Sequence, residues 1–187
     1  MNGTASVEGD ARLRLFCALR LPADAVGRLV EWQAALPAGP YRAVPPGNLH
    51  VTLAFLGARP AGEVEAIVTE LEHAARSAGP IVLRASGYRE TRSVGMVAFD
   101  DEGGAAAALA ADLHERLRRL GVYEPERRRW LPHVTVVRFR ERPGLEAAAP
   151  GLGAVSPSDA SVYHSVLRPN GAQYFVLHSF PLRDVGG

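Results

Sequence analysis

The sequence of 187 residues predicts an α+β fold with antiparallel strand pairing. Apolar runs of strand length alternate with segments in which apolar residues recur at helical spacing. Several of the strands follow one another closely enough to form hairpins, which favours antiparallel pairing over a doubly wound parallel sheet. A short pattern, His-x-Thr, occurs at both His50 and His133, and its duplication hints at a pseudo-repeat of two halves.

The first half of the chain predicts two units of strand followed by helix. The run Leu-Arg-Leu-Phe-Cys-Ala-Leu-Arg-Leu is almost continuously apolar and is typical of a buried strand. Pro22 suits the first turn of a helix, and the apolar residues that follow it have helical spacing. In order, we expect a strand over 13–21, a helix over 22–36, a turn at 44–48, a strand over 49–56, a turn at 57–62 and a helix over 63–77.

The second half predicts a hairpin, a helix and three further strands. An alanine-rich stretch of helical periodicity ends at Gly121, a residue common just after a helix. Asn170-Gly171 is a strong local signal for a tight hairpin turn. In order, we expect strands over 81–90 and 93–101, a helix over 104–120, loops over 124–132 and 143–158 on either side of a strand over 133–140, and two strands within 162–182.

Composition places the chain among ordinary globular proteins. Residues 1–11 are small and polar and predict a disordered tail, followed by a single domain over 12–183. Without an apolar leader or a run of about 18 apolar residues, we expect a cytoplasmic protein that does not enter the membrane. Cys17 is the only cysteine, which excludes an internal disulfide. The formal net charge is +1 and every basic residue is Arg, the side chain best suited to bidentate phosphate contacts.

Each His-x-Thr pattern places an imidazole and a hydroxyl on one face of a strand, because residues i and i+2 share a face. Val51, Leu53 and Phe55 are expected to point the other way, into the core. Near neutral pH one imidazole can accept a proton while another donates one, and each hydroxyl can hydrogen-bond a phosphate oxygen. The pairs at His50 and His133 therefore predict acid/base chemistry on a phosphodiester, which requires no metal or other cofactor.

Beyond the motifs, the chain resembles the two-histidine (2H) phosphoesterases, and among them the RNA 2′,3′-cyclic phosphodiesterases known historically as 2′-5′ RNA ligases. The matching stretches occur in the family's order and span residues 12–183. They are Arg14–Pro22 (RLFCALRLP), Val44–Gly57 (VPPGNLHVTLAFLG), Pro132–Arg138 (PHVTVVR), Leu167–Tyr174 (LRPNGAQY) and Phe180–Leu182 (FPL).

The resemblance implies a bilobal, pseudo-twofold fold whose antiparallel sheets line a central cleft, with helices outside. It also implies hydrolysis of an RNA 2′,3′-cyclic phosphate to a 2′-phosphate. By the same resemblance His50 is the proton donor, His133 the proton acceptor, Thr52 and Thr135 the phosphate-binding hydroxyls, and Arg138 a substrate-binding cation. Arg138 lies at an odd offset from His133, so it reaches the same face only if the strand bulges or ends there.

Other interpretations remain open at this stage. The same residues can run the reverse reaction, an ATP-independent 2′-5′ ligation, or act on small cyclic nucleotides. A nucleotide- or RNA-binding module without catalysis and a zinc site are further alternatives. Trp130 is expected to pack against the fold rather than stack on a base. We expect the protein to be a monomer whose partner is RNA or an oligonucleotide with a cyclic phosphate end.

Overall fold

The apolar runs and helical segments form nine strands and three α-helices in the computed structural model, which describes residues 11–169 and 171–183. The predicted tail lies outside this range except for Ala11, as does Asn170 of the predicted turn. In chain order the elements are β1 (Arg12–Arg20), α1 (Ala23–Ala34), β2 (Tyr41–Ala43), β3 (His50–Pro60), α2 (Val64–Ser77), β4 (Val82–Glu90), β5 (Val94–Glu102), α3 (Ala105–Arg119), β6 (His133–Phe139), β7 (Ala154–Val155), β8 (Asp159–Arg168) and β9 (Gly171–Pro181).

The predicted helices and long strands are confirmed, and three local predictions are wrong. The expected turn at 57–62 is largely strand, because β3 continues to Pro60 and pairs there with Arg12 of β1. β2 was not predicted, and β7 lies in a segment predicted as loop. Both short strands owe their conformation to a partner distant in sequence, β6 for β2 and β4 for β7, which local periodicity does not register.

All of the described strands belong to one antiparallel sheet of order β7-β4-β5-β6-β3-β1-β8-β9, with β2 also paired to β6. The sheet consists of two halves: β3, β1, β8 and β9, the β3 half, and β6, β5, β4 and β7 with β2, the β6 half. The halves meet at a single registered pair, Val51 with Val134. The predicted α+β class with antiparallel pairing is confirmed, and the sheets of the two lobes are continuous with each other.

Helices cover one face of the sheet and leave the other face for the site. Each helix buries an apolar stripe against the strands, through residues such as Leu29 of α1, Leu71 of α2 and Leu113 of α3, all fully buried. The inward-pointing Val51 and Val134 are part of the same core, so it runs unbroken beneath both halves. In the described part of the chain, no helix is long and apolar enough to cross a membrane.

Candidate active site

A cavity of about 490 Å³ opens on the face of the sheet that the helices leave uncovered. Strands from both halves contribute to its wall. Of the five predicted site residues, four line it: His50, Thr52, Thr135 and Arg138. His133, the first residue of β6, is half-buried and does not line this cavity.

The two His-x-Thr patterns lie against each other where the two halves of the sheet join. Val51 and Val134 are the central residues of the two patterns, and they are register partners in an antiparallel pair. Antiparallel direction then brings His50 to the side of Thr135 and Thr52 to the side of His133. The two motifs are thus related by a local twofold axis through this pair, as expected for a pseudo-repeat.

His50 is packed among aromatic rings. Its imidazole is stacked on Phe16 with 4.9 Å between ring centroids, and it lies edge-on to Tyr174 at 5.4 Å and near Tyr163 at 5.9 Å. Its Nε2 is 3.1 Å from the Thr52 hydroxyl. Burial lowers the pKa of His50 to about 4; a hydrogen bond with the Asn48 backbone opposes this shift, and the positive charges of His133 and Arg138 reinforce it. The free protein therefore holds this imidazole neutral at pH 7.

His133 has a more open environment than His50. Its Nδ1 is 2.8 Å from the carbonyl oxygen of Leu131. Because only a protonated nitrogen can donate to a carbonyl, this contact assigns the proton of the neutral ring to Nδ1 and leaves Nε2 with a free lone pair. His133 is thereby prepared to accept a proton at Nε2.

Strand bulges bring two further side chains to the cavity. β3 has a register shift between Thr52 and Ala54, and β6 has one between Thr135 and Val137. Each shift reverses the in–out alternation beyond it. Arg138 consequently lines the cavity, so the bulge on which its predicted role depended is present.

The same effect overturns the prediction for Phe55. Alternation from His50 placed this ring in the core, yet it is 49% exposed and lines the cavity. The register shift after Thr52 supplies the extra residue that turns it outward. The Arg14 guanidinium lies over the Phe55 ring at 4.7 Å from its centroid.

Sequence reasoning missed two further cations at the cavity, Arg14 and Arg42. Arg42 of β2 is the register partner of Arg138. Like charges at opposite positions of an antiparallel pair are unfavourable. Among the ion pairs of the described residues, none involves Arg14, Arg42 or Arg138. A bound anion would relieve this repulsion. The sequence did not indicate Arg42, because this residue lies in no motif. Its position beside Arg138 follows only from the pairing of β2 with β6.

Trp130 packs against the fold, as expected. The indole Nε1 donates a 3.0 Å hydrogen bond to the carbonyl oxygen of Thr52, so the loop before β6 is tied to β3. The ring also packs against the main core. Trp130 therefore fixes the position of one motif strand relative to the other.

No group of three or more His, Cys, Asp or Glu side chains suited to a metal ion occurs within residues 11–169 and 171–183. His73 and His178 are exposed, and His164 does not line the cavity. His114 lies behind the sheet, where its Nε2 contacts the carbonyl oxygen of Leu53 at 2.7 Å.

Comparison with known proteins gives concordant results. Residues 21–168 match the model of the 2′-5′ RNA ligase superfamily. The chain is 33% identical over 185 residues to an RNA 2′,3′-cyclic phosphodiesterase of Thermus thermophilus, with 94% of this chain and 93% of that protein covered.

Solved structures agree with this match. A protein of Thermus thermophilus superimposes with a TM-score of 0.78 at 30% identity, covering 92% of this chain and all of the other. The LigT protein of Escherichia coli, in its complex with NADP+, also gives a TM-score of 0.78, at 26% identity and with 92% and 99% of the two chains covered.

Proposed function

The chain belongs to the 2′-5′ RNA ligase superfamily, and on that basis we propose that it hydrolyses the 2′,3′-cyclic phosphate at the end of an RNA to a 2′-phosphate. The observation that carries the proposal is the pairing of Val51 with Val134, which sets two imidazole–hydroxyl pairs side by side on the cavity face. The relative from Thermus thermophilus bears the name of this activity. The protein would act on RNA or oligonucleotide ends, and on small cyclic nucleotides.

In this proposal His133 is the general base. Its Nε2 accepts a proton from water, and the water oxygen attacks phosphorus. The lone pair needed for this step is the one left free by the Nδ1 contact with Leu131. Attack in line with the bond to the 3′-oxygen places the departing oxygen on the opposite side of phosphorus.

His50 is the general acid. As the bond from phosphorus to the 3′-oxygen breaks, the imidazolium gives its proton to that oxygen, which leaves a 3′-hydroxyl and a 2′-phosphate. Because the pKa of His50 is low in the free protein, the ring must take up a proton from solvent when the substrate binds. A phosphate anion close to Nε2 favours the charged ring and thereby supplies the reason for this uptake.

Thr52, Thr135 and Arg138 bind the phosphate. The two hydroxyls donate hydrogen bonds to the nonbridging oxygens, and the guanidinium balances the charge that develops on them. In the free protein the Thr52 hydroxyl lies 3.1 Å from Nε2 of His50 and donates a hydrogen bond to this nitrogen while the ring is neutral. When His50 becomes charged, that hydroxyl is released to donate to the phosphate.

The decisive experiment is product analysis with an RNA ending in a 2′,3′-cyclic phosphate, performed in EDTA because the proposed steps use no metal. We expect a 2′-phosphate product. Replacement of His50 or His133 by Ala should lower kcat/KM at least about a hundredfold, the range for acid/base catalysis.

The matched control is His73→Ala, which removes an exposed imidazole from α2 and should leave the rate unchanged. Near-normal turnover by both active-site variants would refute the assigned roles. A 3′-phosphate product would refute the direction of cleavage. Binding of the RNA without turnover would favour a binding module instead.

A further inference from the structure

The two motif strands share an irregularity at the same position. In β3 Leu53 has no partner in β1, and in β6 Val136 has no partner in β5; β3 has a second such residue, Leu56, further along the strand. Leu53 and Val136 are each the third residue after the motif histidine. A bulged residue interrupts the ladder, so its backbone groups require other partners when they are buried.

Each of these two residues receives a hydrogen bond from a helix behind the sheet. His114 of α3 has its Nε2 2.7 Å from the carbonyl oxygen of Leu53. Gln33 of α1 donates from Nε2 to the carbonyl oxygen of Val136 at 2.6 Å, and the Val44 backbone N–H donates to the same oxygen at 2.8 Å. Different side chains on different helices thus perform the same task at the two equivalent positions.

The surroundings of both donors fit this task. Gln33 is only 6% exposed, one of few buried polar residues in the described chain, and its amide also bonds the Val44 carbonyl oxygen at 3.1 Å. It therefore links the segment after β2 to β6. The His114 ring packs on Tyr123 with 4.7 Å between centroids, so its direction is fixed.

We propose that Gln33 and His114 are positioning residues that stabilise the two bulges and so determine which side chains face the cavity. Phe55 lies two residues after the bulged Leu53, and Arg138 lies two residues after the bulged Val136. Both side chains line the cavity. Without the bulge, either side chain would turn toward the core. Gln33 thus acts on the phosphate through Arg138, and His114 acts on the cavity wall through Phe55.

The test for Gln33 is a double-mutant cycle with Arg138. Gln33→Met keeps the length of the side chain and removes the donor. We expect a loss of kcat/KM of roughly 10–100-fold, the effect of misplacing a contact group by about 1 Å. In an Arg138→Gln background the same substitution should have little further effect, because the group through which Gln33 acts is already gone. Equal losses in both backgrounds would overturn the proposal.

The test for His114 compares two substitutions. His114→Gln places an amide nitrogen near the former Nε2, the donor that the other half of the molecule uses, and should retain most of the activity. His114→Phe keeps a ring without the donor and should lose it. Thr69→Ala is the matched control, since Thr69 is exposed and its side-chain hydrogen bond to the Glu65 carbonyl oxygen lies within α2. Equal losses in the Gln and Phe variants would overturn the role of the hydrogen bond.

Both activity measurements rest on the proposed function. A second measurement therefore examines the bulges without any assay of activity. Backbone amide shifts and hydrogen exchange of residues 136–139 in Gln33→Met, and of residues 53–56 in His114→Phe, report on the bulges themselves. We expect both to change locally while distant strands keep their spectra. Unchanged amides in the folded variants would refute the inference, whereas changed amides in a protein that hydrolyses no RNA would refute only the proposed function.

Discussion

The two histidines have the same sequence context and different physical environments. His50 lies among Phe16, Tyr163 and Tyr174, whose rings keep water away from it, and its pKa falls to about 4. His133 stands at the beginning of its strand with one ring nitrogen committed to a carbonyl. The assignment of one donor and one acceptor therefore requires a bound anion to charge His50, because burial alone opposes the protonated form.

We predict that inorganic phosphate raises the pKa of His50. In the free protein the ring takes up its proton only near pH 4. Negative charge at Nε2 favours the imidazolium, so phosphate binding between pH 4 and the raised pKa should be accompanied by proton uptake. An NMR titration of the imidazole Cε1–H with and without phosphate measures the shift, and His50→Asn assigns the signal. An identical pKa at saturating phosphate would contradict the donor role.

At the level of strands, the bulges mark the limit of what periodicity predicts. Alternation from His50 is correct for Val51, Thr52 and Leu53 and fails from Ala54 onward, where Ala54 is buried and Phe55 is exposed. In β6 the odd offset of Arg138 signalled that a bulge was needed, because the resemblance required this side chain at the site. No comparable requirement applied to Phe55, so its exposure was not foreseen.

The pairing of β5 with β6 depends on a glycine. A Cβ on Gly95 would lie 2.6 Å from Cγ2 of Val137 and would also meet the Tyr88 hydroxyl. We predict that Gly95→Ala destabilises the protein by about 1–3 kcal/mol, as overpacking does, and displaces β6 next to Thr135. Urea unfolding measures the first effect, and kcat/KM should fall as well.

Gly27 of α1 offers the control, because nothing lies within 4 Å of its Cβ position and it is exposed within the helix. Gly27→Ala should stabilise the protein by about 0.5–1 kcal/mol without altering activity. Should Gly95→Ala also be neutral or stabilising, the close packing of β5 on β6 would not be what fixes the register.

For the whole molecule, local sequence patterns predicted the class of fold and the motif strands. The features that they did not predict depend on contacts between residues distant in sequence. The rings around His50 come from β1 and from the hairpin of β8 and β9, which lie at opposite ends of the chain from each other, so no local window of sequence relates Phe16 to Tyr163 and Tyr174. Gln33 is a polar residue on the buried stripe of α1, in line with Ala25 and Leu29, and its hydrogen bonds to the Val44 and Val136 carbonyls explain its burial. The single domain predicted over 12–183 stays a prediction.

That prediction has a direct test in a Trp130→Phe background, because Trp130 bonds to β3 and the remaining Trp32 reports on the β6 half. Trp32 of α1 lies beside Tyr88 of β4, and Trp130 precedes β6. Leu71→Ala removes a fully buried side chain from α2, which packs on β8 and β9 in the β3 half, at a cost of about 2–5 kcal/mol. One core runs beneath both halves, so the loss should lower the urea midpoint equally by tryptophan fluorescence and by far-UV circular dichroism.

Leu29→Ala in α1 provides the matched substitution, since Leu29 is fully buried under the other half. If the chain is one cooperative unit, the two variants will show coincident transitions by both probes. If the halves are separate units joined only at Val51 and Val134, Leu71→Ala will lower the circular dichroism signal first and leave the tryptophan transition where it was. The site spans the junction, so a cooperative result would also mean that substitutions in either half weaken the geometry shared by the two motifs.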